Sequence, residues 1–276
     1  MRVIALLAAY NEERFIGGCI EHLARQGVEV YLLDDSSTDH TVEIAEGYRG
    51  RGLIGLEAME RDGTFCLGKQ LRRKEDLAES LDADWFIHVD ADEIRLPPRP
   101  GITLGQALAG ADAEGYNAVN FVEFTFTPTR ESPDHDHADF QKTMRWYYPF
   151  LPAFPHRLNA WKKQPGRVDL DGRGGHLVSF PGLRMYPQSF PMRHYLFLSI
   201  PHVIEKYIRR KFDPVEAKRG RGGWRRWLTE EMLQLPSESQ MRAYGLDGLL
   251  DPSQPLKRHL IAPLTNDGLD PKTRPA

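Results

Sequence analysis

Apolar and polar positions alternate in blocks along the first third of the chain. Val3–Ala9 is apolar on both faces, the pattern of a strand buried inside a parallel sheet. Tyr10, Asn11, Glu12 and Glu13 end that run, and Phe15, Ile16, Cys19, Ile20 and Leu23 then recur at helical spacing. Residues 28–33 predict a second strand, closed by Asp34, Asp35, Ser36, Ser37, Thr38 and Asp39. Thr38 or Asp39 is placed to cap a helix that carries Val42, Ile44 and Ala45. A short strand over 53–56, a charge-rich helix over 69–81 and a strand over 85–89 follow. The order β-α-β-α-β-α-β predicts an α/β fold, a mostly parallel central sheet with right-handed crossovers and helices on both faces.

Beyond Pro97 and Pro98 the alternation weakens. A short helix is expected over 104–108 and a strand over 118–127. Residues 128–192 are rich in Pro, Gly, His and aromatics without a clean period; such a region is functional or contains small strands that no period places. Residues 196–212 return to helical character, with Ile200, Val203, Ile204, Tyr207 and Ile208 as the apolar stripe. From 213 onward come basic residues, Trp224 and Trp227, a helix-like run near 227–233, and a tail expected to be exposed.

The 276 residues, 41% hydrophobic and 27% charged, fit a globular protein with a sizeable core. A net charge of -3 gives no reason to expect nucleic acid as a partner. Cys19 and Cys66, without a CxxC, suggest neither a disulfide framework nor a zinc site. No run of about 18 apolar residues predicts a transmembrane helix, and Val3–Ala9 is too short and wrongly flanked for a signal peptide. A cytoplasmic protein is expected. The locally basic 206–226 also allows a peripheral position at the inner face of a membrane, against the plainer reading of a solvated face.

Chemistry gathers at strand ends. Asp90 and Asp92 are two residues apart and project to one side of an extended segment, where an open α/β sheet has its ligand crevice. Two hard oxygen ligands suit Mg²⁺ or Mn²⁺ shared with substrate phosphates. The plain alternative is a polar turn with Glu93 and Arg95 as solvated charges. Asp34 and Asp35, with Tyr10 and Asn11, belong to the same edge, where a carboxylate can accept bonds from a nucleobase or ribose. The absence of GxGxxG and of GxxxxGK[ST] disfavours a dinucleotide fold and P-loop chemistry.

Three blocks taken together carry a resemblance. Leu6-Leu7-Ala8-Ala9-Tyr10-Asn11-Glu12-Glu13, Leu32-Leu33-Asp34-Asp35-Ser36-Ser37-Thr38-Asp39-His40-Thr41 and Val89-Asp90-Ala91-Asp92-Glu93 resemble, in order and spacing, a family-2 glycosyltransferase of the GT-A fold. The resemblance covers about residues 3–95. It implies metal-dependent, inverting transfer of a sugar from a nucleotide-diphosphate donor (UDP-, GDP- or TDP-sugar) to an acceptor hydroxyl on a glycan or lipid-linked molecule. It implies a nucleotide site at Ala9, Tyr10, Asn11, Glu13, Asp34 and Asp35. Asp90, Ala91 and Asp92 are implied at the diphosphate and its Mn²⁺ or Mg²⁺.

Lys69, Arg72 and Arg73 precede the metal strand and are candidates for the diphosphate, against a solvated helix face. Arg193-His194-Tyr195-Leu196-Phe197-Leu198-Ser199 with Lys206 resembles a His-Tyr-x-x-x-Ser…Lys segment of the same transferases, making His194 a candidate third metal ligand and Lys206 a phosphate contact. The resemblance divides the chain into 1–212, with a nucleotide and metal half to about 95 and an acceptor half from 96, and a helical extension over 213–276.

The acceptor's base has no family-type Glu-Asp pair here. Asp169, Asp171 and His176, in a glycine-rich segment that allows close approach to a ligand, are the candidates. Glu123 is another carboxylate of that half. Asp134, His135, Asp136 and His137 alternate as a second metal site would, or as a solvated loop. Trp146, Tyr147, Tyr148, Phe150, Phe154 and Trp161 offer either a sugar platform or ordinary core. The competing functions are a nucleotidyltransferase, whose glycine-rich loop is missing, and a non-catalytic nucleotide- or glycan-binding module.

Overall fold

The structure, a computed structural model, describes residues 1–218, 220–245 and 248–261; the expected tail beyond 261 lies outside the described residues. In chain order the elements are β1 (Val3–Ala9), α1 (Ile16–Arg25), β2 (Glu29–Asp34), α2 (Thr41–Glu46), β3 (Leu53–Ala58), α3 (Leu67–Ser80), β4 (Trp85–Asp90) and β5 (Glu93–Arg95). There follow α4 (Leu104–Ala113), β6 (Ala118–Phe126), α5 (Phe140–Thr143), β7 (Trp146–Phe150), β8 (Arg157–Lys162), β9 (Phe190–Tyr195), α6 (Ile200–Val203), α7 (Pro214–Lys218) and β10 (Arg242–Ala243).

Two compact units form. The first comprises 1–62, 67–123 and 154–193, and the second comprises 63–66, 124–153 and 194–276. In the first, β1 lies between β2 and β4 and pairs with both in parallel, while β3 extends the sheet beyond β2. The chain thus runs outward from β1 to β3 and then crosses back to place β4 on the other side of β1. That reversal makes the carboxyl ends of β1 and β4 a topological switch point, the place where open α/β sheets bind ligands. On the far side of β4, β8 and then β6 pair antiparallel.

Local chemistry explains the elements. The α1 stripe Ile16, Cys19, Ile20 and Leu23 is buried, and Gly27, at φ 72°, turns the chain after the helix while donating to the Ala24 carbonyl. Thr103 and Gln106 close a reciprocal capping box on α4. That helix runs to Ala113, past the expected 108, because Ala111 continues the buried face of Leu104, Ala107 and Leu108. The N-cap of α2 is His40, without a side-chain cap, in place of the expected Thr38 or Asp39; Asp39, one residue earlier, accepts from the Thr41 amide, and Thr38 bonds Asn11.

The irregular 128–192 contains β7, β8 and the start of β9. Burial on both faces of β8 hid it from a period-two reading. Trp161 on β8 is fully buried and packs against Phe86 at 5.9 Å between ring centroids. Its place is in the core with Ile4, Leu6, Leu158 and Leu170, which ends its candidacy as a sugar platform.

In the second unit the expected helix over 196–212 is broken. Ser199 caps α6 by accepting from the His202 amide, and a π turn, Ile204–Ile208, follows. Tyr195 stacks on Phe126 at 4.9 Å and meets Phe140 edge-on, and the Tyr207 hydroxyl donates to the Leu196 carbonyl. The run near 227–233 forms 3₁₀ turns, Gly223–Trp227 and Glu230–Met232. Among the described residues no helix is long and apolar enough to cross a membrane.

Removing the Trp161 ring leaves a void between Phe86 and the β8 backbone. Trp161→Ala is expected to lower the unfolding free energy by about 3–5 kcal/mol, measured as a reduced urea midpoint at unchanged slope.

Candidate active site

The strand register brings three loop ends together. Ala9 of β1 stands opposite Asp34 of β2, and Ala8 opposite Asp90 of β4. The two aspartate-bearing ends therefore flank β1. The Asp35 amide donates to the Ala9 carbonyl at 2.8 Å, carrying the pairing one residue past the strand.

The loops after β1 and β2 interlock. The Asn11 amide donates to Ser37 Oγ at 3.0 Å, and Asn11 Oδ1 accepts from the Thr38 amide at 2.8 Å. The Glu12 amide donates to Thr41 Oγ1, the Glu13 amide to Asp39 Oδ2, and Glu13 Oε2 pairs with His40 at 2.9 Å. Asn11 and Ser36 hold φ of 54° and 61°, a left-handed conformation that side chains adopt at a cost. Asp34 accepts from the Ser37 amide at 3.1 Å and so shapes its own turn. Asp35 pairs with Arg61 at 3.0 Å, and that guanidinium lies 3.4 Å from the Tyr10 ring centroid. Arg61, absent from the sequence reading, thus joins two of the expected nucleotide residues. All of this suits recognition of a flat, hydrogen-bonding ligand.

The Asp90 carboxylate is half-buried and that of Asp92 is buried. Burial opposes ionisation of Asp90, but its cationic side, Lys74 and Arg157 included, outweighs both burial and Asp92 and holds its pKa below the usual carboxylate value. A ligand carboxylate must be deprotonated, so this favours a hard cation. Among the described residues no three His, Cys, Asp or Glu side chains gather as a ready ligand set. Two carboxylates without a closed cage fit a cation whose remaining ligands come from a phosphate substrate and water, as Mg²⁺ and Mn²⁺ accept. His194 is buried on β9, and Lys206 is half-buried in the π turn.

Beneath Asp90 lies a second surprise. Lys74, fully buried, donates from Nζ to His88 Nδ1 at 2.9 Å and to the Val89 carbonyl at 3.3 Å. Burial pulls Lys74 down to about 8 and His88 well below its ordinary value. An ammonium only donates, so Nδ1 accepts and the neutral ring carries its proton on Nε2. Lys74 falls three residues from both Leu71 and Leu77, on the buried stripe of α3, a signal the sequence does contain.

The basic candidates on α3 are engaged. Arg73 makes two 2.8 Å bonds to Glu57, Arg72 reaches Asp171 at 3.1 Å, and Lys69 donates to the Glu60 carbonyl. Among the acceptor-side candidates, Asp169 accepts from the Gly172 amide at 2.7 Å, and the Asp171 amide donates to Glu75. The Asp169 carboxylate shapes the loop, whereas that of Asp171 is tied to Arg72 on α3. The close approach allowed by glycine is made to protein: a Cβ on Gly175, at φ 80°, would stand 2.7 Å from His88 Nε2. His176 is exposed and stacks on His156 at 5.2 Å, whose Nε2 lies 3.3 Å from Glu123.

In the second unit, His135 bonds Thr143 and Ser132, and His137 bonds the same threonine. The imidazoles of that alternating segment thus serve the loop. Tyr147, Tyr148 and Phe150 are buried, whereas Phe154 is 61% exposed.

Gly175→Ala tests the loop contact. It is expected to cost about 1–2 kcal/mol from the left-handed backbone alone and more from the clash. Thermal unfolding of Gly175→Ala in His88 and His88→Ala backgrounds separates the two contributions.

The profile described as Glycosyl transferase family 2 matches residues 5–159. Two uncharacterized proteins, from Mycobacterium bovis and Mycobacterium tuberculosis, are each 29% identical over 110 residues, covering 33% of this chain and 25% of theirs. The match thus spans about a quarter of the length of these curated relatives. Among solved structures, residues 1–349 of S. aureus TarS are 16% identical with a TM-score of 0.46, covering 71% of this chain and 60% of that one. Glucosyl-3-phosphoglycerate synthase from Mycobacterium tuberculosis, in complex with Mn²⁺, UDP and glucosyl-3-phosphoglycerate, is 23% identical with a TM-score of 0.32, covering 44% of each chain.

Proposed function

Since the chain belongs to glycosyl transferase family 2, we propose that it transfers a sugar from a nucleotide-diphosphate donor to an acceptor hydroxyl, with inversion. The observation that carries this reading is the register placing Asp34 and Asp90 on either side of the β1 end, at the switch point. Ala9, Tyr10, Asn11, Glu13 and Asp35 line the nucleoside side, with Arg61 held between Asp35 and Tyr10. Asp90 and Asp92, with Ala91 between them, would hold Mn²⁺ or Mg²⁺ together with the diphosphate, and His194 is the candidate third ligand. Lys69, Arg73 and Lys206 turn to the phosphates once the donor is present.

The bound cation supplies Lewis-acid stabilisation of the charge that develops on the leaving diphosphate. The chain does the rest. Its interlocked loops orient the donor, and the cationic flank of Asp90 offsets the negative charge collected there. In the transfer the sugar's anomeric carbon loses its bond to the diphosphate oxygen and gains one to the acceptor oxygen. The acceptor proton passes to His176, because Asp169 is committed to the loop and Asp171 to Arg72, whereas this imidazole is exposed. The acceptor is a glycan or lipid-linked hydroxyl. The basic 206–226 supports a place at an anionic inner membrane face.

A thermal-shift screen of UDP-, GDP- and TDP-sugars with Mn²⁺, Mg²⁺ or chelator tests the donor site. One nucleotide class is expected to raise the melting temperature only with metal, and Asp92→Asn to abolish that rise. Absence of a shift with every donor, from folded protein, overturns the reading. Metal-dependent release of free nucleotide from the same donor separates a transferase from a binding module.

A further inference from the structure

The turn that carries Asp90 and Asp92 is tied to a set of buried charges. Glu93, 1% exposed, uses one oxygen, Oε2, to accept from the Asp90 amide at 3.2 Å and from Arg95 Nη2 at 2.6 Å. Arg95 is fully buried. Its fork also donates to the His88 carbonyl and to Asn159 Oδ1, both at 3.1 Å, and its guanidinium lies 4.4 Å from the Phe121 ring centroid. The Arg95 carbonyl is fixed in turn by His22 Nε2 at 2.7 Å. One guanidinium thus grips the β4 backbone two residues before Asp90 and, through Glu93, the Asp90 amide itself.

The other Glu93 oxygen faces Arg157 Nη1 at 3.9 Å, and Arg157 places Nε and Nη2 on Glu123 Oε2 at 2.9 and 2.8 Å. Glu123 is fully buried on β6. Asn120 accepts from the amides of His156 and Arg157 where the β6–β8 register shifts, fixing the root of the Arg157 side chain. Two acids and two guanidinium groups alternate from the Asp-X-Asp turn into the antiparallel half of the sheet.

We propose that Glu93, Arg95 and Arg157 are positioning residues, and that this lattice, anchored at Glu123, sets the cation affinity of the Asp90–Asp92 turn. The proposal rests on the donor-site reading above. Burying four charges is a costly way to hold a sheet together, since an apolar replacement does so as well or better. Holding a ligand-bearing turn in one geometry is a task that hydrogen-bonded charges perform and methyl groups do not. Arg is required at 95 because one planar fork makes all three bonds; Lys keeps the charge and loses the fork.

The test is Mn²⁺ binding to the full chain, read as loss of the free-ion signal in electron paramagnetic resonance. Glu93→Gln, Arg95→Lys and the remote Glu123→Gln are compared with Trp161→Ala, which lowers stability without removing a lattice hydrogen bond. The expected result is about tenfold weaker Mn²⁺ binding in the lattice variants, the scale of support-residue losses at metal sites, and wild-type affinity in Trp161→Ala. If Arg95→Lys does not fold, the isosteric Glu123→Gln decides. Wild-type affinity in folded lattice variants overturns the proposal and leaves the donor site standing. Failure of the wild-type protein to bind Mn²⁺ without nucleotide also overturns the proposal, and the donor site is then judged by the metal-dependent thermal shift alone.

Discussion

A carboxylate cannot be left bare in a protein interior, and the carboxyl end of the parallel strands is arranged around that constraint. Asp34, Asp35, Asp92 and Glu93 are all buried within one turn of the strand ends. Each carboxylate placed there demands a donor. The chain answers with a backbone amide for Asp34, Arg61 for Asp35 and Arg95 for Glu93. Lys74 and Arg157 complete the balance around Asp90, under the sheet and beside it. The apolar run of β4 supplies the walls that make these partnerships strong, because charges interact more strongly where water is excluded.

This division explains what could be read in advance. The parallel strands were legible because both-face burial writes continuous apolar runs, and the carboxylates because they interrupt such runs at the ends. Arg95 was not legible as a buried charge. It follows Glu93 by two residues, so a solvated pair and a buried pair look alike in sequence. Lys74 was hidden by the charged residues around it on α3, although its spacing from Leu71 and Leu77 marks the buried face. The antiparallel strands were lost for another reason: β7, β8 and β9 are set by pairing partners distant in sequence, and β6 meets β8 across a register shift. In 196–212 the stripe was real and its continuity was not, since Pro201 starts a short helix that passes directly into a π turn.

The acceptor-side residues show how composition misleads about role. A segment with Asp169, Asp171 and three glycines reads as a ligand cradle. Its acids instead hold the loop and tie it to α3, and the glycine with least room lets it rest on His88. The imidazole beyond it gains its setting from β6 and β8, where Glu123 and His156 stand. The setting of that imidazole is a property of the tertiary neighbourhood, and no spacing of nearby residues records it.

The interlocked loops after β1 and β2 have a thermodynamic corollary. Asn11 and Ser36 sit in left-handed backbone conformations, held there by cross-bonds between the two loops. The conformational entropy of ordering those segments is therefore lost when the chain folds, not when a ligand arrives. A ligand meeting such a surface would freeze little further chain motion. Its affinity would then reflect contact quality and desolvation, on a face where Arg61 is already held between Asp35 and Tyr10.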